Sequence, residues 1–444
     1  MGTQQKLMAA VLAGLTAFAP VAGATTLQEA VRQALNTNPE VQASRNERLA
    51  RGQELRQARA GYYPSVDLTA GIGQENTDSP FTRAAGETGY RSLTRREAEL
   101  TARENLFAGF ATVNESKRQK ARVNAADFTV MDTSQRVALS SIRAYLDVLR
   151  SEEQVRLAKA YLAAHQRTYD QVRRRSESGL ARTADFEQVQ GRLALARTTL
   201  INAQRDLADA RSNYMRVVGE MPRDPMAVPA TVAANMPAGL STAEAMALKD
   251  HPTLQAAEAD VAAAKAQMKA AGNTFYPHID AVASQSWGRD LNGLKGLDQR
   301  QSLMLEGNYN LFNGGADSAR YKEYQYRLKQ AEDVRDNTRR QVLEGVRLSW
   351  SAYEATTSQL QYLKAHEDAS RQARDAYIKQ WRVGRRTLLD VLDTEKEFYE
   401  ASKAYTNARY DRVYAQYRVL AGMGALLGDM GISRAQQTTP DDKG

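Results

Sequence analysis

Tyr63-Pro64-Ser65-Val66-Asp67-Leu68-Thr69-Ala70-Gly71-Ile72 is the stretch whose reading decides the fold. Val66, Leu68, Ala70 and Ile72 alternate with Ser65, Asp67, Thr69 and Gly71, the period of two expected of a strand with one apolar and one polar face. The period returns in three more places. After Tyr276-Pro277, Ile279, Ala281 and Ala283 alternate with His278, Asp280 and Ser284; around Asn105-Leu106-Phe107, Ala98, Leu100, Ala102 and Leu106 stand opposite Glu97, Glu99, Thr101 and Arg103. Around Asn310-Leu311-Phe312, Leu303, Leu305, Tyr309 and Leu311 stand opposite Ser302, Glu306, Asn308 and Asn310. Strands are therefore expected at about 64–74, 95–107, 277–287 and 301–312, with the polar, glycine-containing stretches 74–91 and 288–300 as loops between partners. Amphipathic strands of roughly ten residues suit a barrel with lipid outside and water inside. Four strands are too few to close such a barrel, so copies must associate: two give eight strands with a filled interior, and three give twelve with room for a lumen.

The strands belong to a larger duplication. Leu27 and Asn38-Pro39 recur as Leu240 and His251-Pro252, Tyr63-Pro64 as Tyr276-Pro277, Asn105-Leu106-Phe107 as Asn310-Leu311-Phe312, and Gly179 as Gly384. The spacing of roughly 210 residues is far beyond a solenoid unit, so each copy is a whole set of elements. This divides the chain into a first repeat at 25–222, a proline-rich linker at 223–239, a second repeat at 240–428 and a tail at 429–444.

Between the strand pairs the chain reads as long helix. No proline occurs between Pro80 and Pro222, or between Pro277 and Pro440. Residues 109–178 and 315–383 would span about 100 Å each at 1.5 Å per residue. Gly179 and Gly384 mark the turns. After the first turn, Phe186, Leu193, Leu200, Leu207 and Tyr214 interleave with Val189, Ala196, Ala203, Ala210 and Val217, a coiled-coil heptad. Shorter helices are expected at 28–61, 185–218, 241–272 and 390–424. Stacking 185–218 on 241–272, and 390–424 on 28–61, would match the long columns, with the linker as a belt near mid-height.

Composition excludes much else. Lys6 followed by the apolar run from Leu7 to Ala19 and by Ala22-Gly23-Ala24 reads as a signal peptide over residues 1–24. No other run is long and apolar enough for a spanning helix. With no cysteine there are no disulfides, thiolate metal sites, cysteine nucleophiles or lipidated N-terminal cysteine. The net charge of +8 is interleaved with acidic residues, as on solvated helix faces, and no nucleic-acid partner is expected. Mean hydropathy of −0.57 suits an elongated chain. The Gly422-x-Gly424-x-x-x-Gly428 run ends a helix and does not follow a strand, so it is a helix breaker and not a dinucleotide loop. His165, His251, His278 and His366 lack ligand spacing; no metal, cofactor or catalytic set is expected, and the chain is not an enzyme.

Taken in this order and twice over, the Asn/His-Pro, Tyr-Pro and Asn-Leu-Phe-x-Gly marks and the two tips, 178–185 and 383–393, resemble the TolC family of outer-membrane channel proteins over essentially the whole mature length. The resemblance implies a mainly α fold with a membrane β-barrel portion: a homotrimer with a 12-stranded barrel in outer-membrane lipid and a 12-helix tunnel across the periplasm. Its partners would be a periplasmic adaptor and an inner-membrane ABC transporter or RND pump. The absent cysteine favours a type I protein-secretion duct over a multidrug efflux channel. A reading from another class is a structural periplasmic coiled-coil protein, which would have no use for four amphipathic strands.

The resemblance also implies a gate at the tips. Asp185 would meet Arg386 and Trp381, the latter standing where the family commonly has tyrosine, and Asp390 and Asp393 would form two stacked anionic rings able to bind divalent ions. Gly179, Leu180, Ala181, Arg182 and Thr183, with Gly384, Arg385, Arg386 and Thr387, would contact the adaptor. A simpler role for Asp185 and Asp390 is helix N-capping after the glycine turns, which leaves Asp393 unexplained.

Overall fold

A computed structural model describes residues 25–86, 88–178, 182–229 and 236–433. Residues 1–24, the linker centre 230–235, and Gly179, Leu180 and Ala181 of the first tip lie outside the described residues, so the expectations placed on them concern positions not described. The elements run α1 (Leu27–Thr37), α2 (Pro39–Ala60), β1 (Ser65–Thr77), α3 (Pro80–Ala84), β2 (Arg91–Ala108), α4 (Ala111–Glu177) and α5 (Thr183–Val218). The second half repeats the plan with α6 (Leu240–Asp250), α7 (Pro252–Ala270), β3 (His278–Arg289), β4 (Leu297–Asn308), α8 (Ala316–Arg382), α9 (Leu388–Gly422) and the short α10 (Leu426–Asp429).

The four strands form one antiparallel sheet in chain order, open at β1 and β4. Register places Val66, Ala102, Ala283 and Leu303 in one row, and Asp67, Thr101, Ser284 and Ser302 in the next. Val66, Leu68, Ile72, Leu303 and Leu305 are exposed, forming the apolar face of the sheet. The opposite face is knitted by polar contacts: Ser284 Oγ lies 2.8 Å from Ser302 Oγ, and Arg103 bridges Asp280 at 2.9 Å and Glu306 at 3.2 Å. Toward the loops the apolar face thins, because Gln285 and Gln301 continue the Leu68–Leu100 row. The expected strand 301–312 is instead Leu297–Asn308, which begins inside the expected loop 288–300 and leaves Tyr309, Leu311 and the second Asn-Leu-Phe beyond its end.

The Asn-Leu-Phe-x-Gly marks make the passage from sheet to helix. In each half two consecutive residues take left-handed backbone just before the long helix: Gly109 (φ 58°) with Phe110 (φ 65°), and Gly314 (φ 56°) with Gly315 (φ 84°). A Cβ on Gly109 would lie 2.5 Å from the Asn273 carbonyl oxygen, so only glycine fits. Phe110, a strained non-glycine residue, is held by edge-on rings of Phe107 and Tyr276 at 5.3 and 5.6 Å.

Both long helices, α4 and α8, have 67 residues and thus span about 100 Å. The expected single helices 28–61 and 241–272 are instead broken at Asn38-Pro39 and His251-Pro252. Asn38 Oδ1 accepts from the Glu40 N–H at 2.9 Å and His251 Nδ1 from the Thr253 N–H at 3.3 Å, each proline following as the first helical residue. These are N-caps with proline where no backbone donor is needed.

The stacking differs from expectation. Thr37 Oγ1 and Asn38 Nδ2 donate to the last carbonyls of α5, Val218 and Val217, at 2.9 and 3.3 Å. Gly424, just after α9, packs against Asp250 and His251 at the junction of α6 and α7. So α5 abuts α2, and α9 abuts α7: each split column is completed within its own repeat and not by the other. The glycines that end α5 and α9, Gly219 (φ 96°) and Gly424 (φ 78°), permit the close abutment. At mid-height the packing is made by α1, α6 and the segment around α10, with Met226 from the start of the linker, while the linker centre expected to form a belt there lies outside the described residues. Leu27, Val31 and Leu35 of α1, Ala243 and Ala247 of α6, Met226 of the linker, and Leu426, Leu427 and Ile432 pack around Val137–Leu149 of α4 and Val342 and Val346 of α8. Tyr145 reaches out of this core to the carbonyls of Thr25 and Ala227 at 2.7 and 2.5 Å.

Candidate functional site: the helical tip

Far from the sheet, α4 turns into α5 and α8 into α9. The second turn is closed by Gly384 (φ 76°), with the Arg385 N–H donating to the Gln380 carbonyl at 2.9 Å, a left-handed helix C-cap. Thr387 then caps α9: its N–H donates to Asp390 Oδ2 at 3.1 Å, and its Oγ1 accepts from the Asp390 N–H at 3.2 Å. The Thr387 backbone N–H, then its hydroxyl, hold the Asp390 carboxyl below the usual carboxylate range. Asp390 is therefore the third helical residue of a capping box and not the N-cap itself. Asp185 holds the equivalent place in α5, where Arg182 is the N-cap and offers no side-chain cap.

Trp381 is 7% exposed and packs with Val172 of α4, Val189 of α5, and Leu388, Val391 and Leu392 of α9. This cluster ties the two hairpins together. Burying side chains of this size stabilises by about 1.5–3 kcal/mol each, whereas an exposed ion pair contributes about 0–1 kcal/mol, so apolar packing dominates the closure within the chain. Two cationic contacts cross the same boundary. The Arg175 guanidinium lies 5.0 Å from the Trp381 ring centroid, and Arg192 Nη2 donates to Asp393 Oδ1 at 2.8 Å.

The pairing expected for Asp185 is not made within the chain. Among the described residues its carboxylate meets neither Arg386 nor Trp381. Arg386 instead covers the Tyr377 ring at 4.3 Å, donates from Nε to Gln380 at 3.2 Å and lies 4.0 Å from Asp390. Asp390 and Asp393 do share one face of α9, and Asp393, 56% exposed, is the one paired with the first hairpin. The expected adaptor-contact residues Arg182, Thr183, Gly384, Arg385, Arg386 and Thr387 are all exposed, while Gly179, Leu180 and Ala181 are outside the described residues. Sequence reasoning missed Arg175 and Arg192. Each is one of many arginines on a helix face, and only the packing of one hairpin on the other singles them out. Among the described residues no cluster of His, Asp and Glu is placed to hold a metal, and no helix is long and apolar enough to cross a membrane.

Comparison with known proteins agrees with the architecture. The chain is 27% identical over 433 residues to the outer membrane efflux protein BepC of Brucella suis, covering 96% of this chain and 92% of that one. It is 23% identical to the outer membrane protein TolC of Escherichia coli, covering 93% and 85%. It is 24% identical to the alkaline protease secretion protein AprF of Pseudomonas aeruginosa, covering 88% and 83%. The crystal structure of the Campylobacter jejuni CmeC outer membrane channel superposes with a TM-score of 0.79 over 90% of this chain and 86% of that one, at 14% identity, which shows the shared fold. The sheet, the two 67-residue helices and the match of residues 30–220 and 245–425 to the family described as outer membrane efflux protein together show that this chain belongs to that family, a non-enzymatic, TolC-like channel of the outer membrane extending into the periplasm.

Proposed function

We propose that three copies of this chain form the exit duct of a tripartite export machine, working with a periplasmic adaptor and an inner-membrane ABC transporter in type I protein secretion. The observation that carries the duct is the four-stranded sheet, apolar on one face, open at both edges and continuous with two helical hairpins, each built on one 67-residue helix. Three such sheets supply twelve strands and a lumen. Sheet edges left unpaired in a membrane are not tolerated, so association is a condition of insertion. Likeness to AprF, a protease secretion protein, supports the type I reading. Likeness to BepC, an efflux protein, favours a second reading, the outer-membrane part of a multidrug pump of the RND type.

In either machine the tip is the gate. Asp185 and Arg386 are exposed or half-exposed and do not meet within one chain, which leaves their pairing to contact between neighbouring copies. The adaptor would favour the open tip by binding it better than the closed one. Deleting the gene and measuring both the culture-supernatant proteome and susceptibility to amphiphilic drugs separates the machines. Loss of one or a few secreted proteins with unchanged susceptibility is expected. Hypersensitivity with an unchanged supernatant would establish the pump in its place.

A further inference from the structure

Half-way between belt and tip, α4, α8 and α9 line a half-open cavity of about 220 Å³. Its walls are mostly apolar and aromatic, including Leu157, Tyr161 and Ala164 of α4, Ile378 of α8, and Phe398 and Tyr399 of α9. One carboxylate lines it without a partner. Glu395 is 7% exposed, and among the described residues no hydrogen bond or ion pair reaches its side chain. Two guanidiniums and a second carboxylate, those of Arg167, Arg374 and Asp375, also line it without bonding to Glu395. Arg374 of α8 donates to Asp375 at 3.0 and 2.7 Å and lies 4.1 Å over the Phe398 ring, while Arg167 of α4 is exposed. Ser402, also in the wall, donates to Glu367, which is held in turn by Lys364 and Arg371.

We propose that this cavity binds a small organic cation, a primary ammonium on a compact apolar or aromatic group, with Glu395 as its counter-ion. An unpaired carboxylate in an apolar wall is costly unless a positive charge compensates it. Aromatic faces attract ammonium groups, and pockets of this kind fix a ligand with one or two polar groups in an apolar lining. A divalent metal would need several oxygen ligands, and the other carboxylate of the lining, Asp375, is taken by Arg374. Because the wall comes from the first hairpin (α4) and the second (α8 and α9), an occupant bridges the two and raises their joint stability by mass action. Burial pushes the Glu395 carboxyl upward, opposed by Arg374 and Arg167, so the proton is the ligand's competitor and binding weakens as pH falls.

The test uses the full-length channel extracted from the outer membrane in detergent, with benzylammonium as probe and benzyl alcohol as its neutral counterpart, read by calorimetric titration and thermal melting. For a ligand this small, millimolar affinity is expected. Glu395→Gln removes the charge at constant volume, and Ala164→Leu fills the cavity with the charge kept; each should weaken benzylammonium by about tenfold or more, a loss of about 1.4 kcal/mol. Benzyl alcohol should show no saturable binding. No saturable benzylammonium binding by the wild type, or equal binding by either variant, overturns the proposal, and neither result bears on which export machine the channel serves.

Discussion

At the residue scale, His165 carries the clearest pH dependence. It is fully buried, both ring nitrogens lack partners among the described residues, and its ring stands edge-on to Tyr161 at 4.4 Å. Burial, then Arg192, push its pKa down to about 4. The unfolded chain, with an ordinary pKa of about 6.5, takes up a proton that the folded chain refuses. Stability is therefore full above about pH 6.5 and falls by up to about 1.4 kcal/mol per pH unit toward pH 4. His165→Phe keeps a ring against Tyr161 and should flatten this acid slope in denaturation of the detergent-solubilised channel; an unchanged slope would assign it to other groups. The proposed gate is tested by current. Asp185→Ala, Arg386→Ala and Arg192→Ala should each raise single-channel conductance in planar bilayers, and Trp381→Ala should raise it most, because it removes apolar packing and not an exposed charge pair. Conductance unchanged in all four would exclude the tip as the constriction. Asp390 and Asp393 were legible in the sequence as neighbours on one helical face, but Arg192 as the partner of Asp393 was not, since a single sequence carries no record of which arginine faces which hairpin.

At the element scale, proline and glycine carried most of the legible information. The proline-free stretches gave α4 and α8 to within a few residues, and the Tyr-Pro marks stand directly before β1 and β3. Asn38-Pro39 and His251-Pro252 were visible as repeated marks, but that they break a helix follows from capping geometry. Which split helices abut was misread, because equal lengths permit either pairing and only close contact at the helix ends distinguishes them. That contact yields a prediction. Gly424 is left-handed and a Cβ there would lie 2.8 Å from the Asp250 carbonyl oxygen, whereas a Cβ on left-handed Gly384 meets nothing within 4 Å. Gly384→Ala should cost about 1–2 kcal/mol of backbone strain alone, and Gly424→Ala that plus the backbone clash. Thermal loss of the helical circular-dichroism signal should come at a lower temperature for Gly424→Ala; equal midpoints would contradict the abutment of α9 on α7.

At the scale of the whole molecule, one chain is an incomplete object. Its sheet has two open edges, and Leu303, 82% exposed, stands on the sheet's apolar face. The duplication explains how one chain supplies a sheet of four strands and two hairpins: each repeat contributes two strands, one unbroken column and one column in two pieces. The period-two alternation made the strands legible, while the shift of β4 to Leu297–Asn308 and the thinning of the apolar face at Gln285 and Gln301 emerge only from register. A barrel with a lumen requires three copies, and this is the claim on which the duct, the gate and the tunnel all depend. Native mass spectrometry of the protein extracted from outer membranes tests it most directly. The account predicts an assembly of three chains; a dimer, or a monomer recovered in the aqueous fraction, would contradict it.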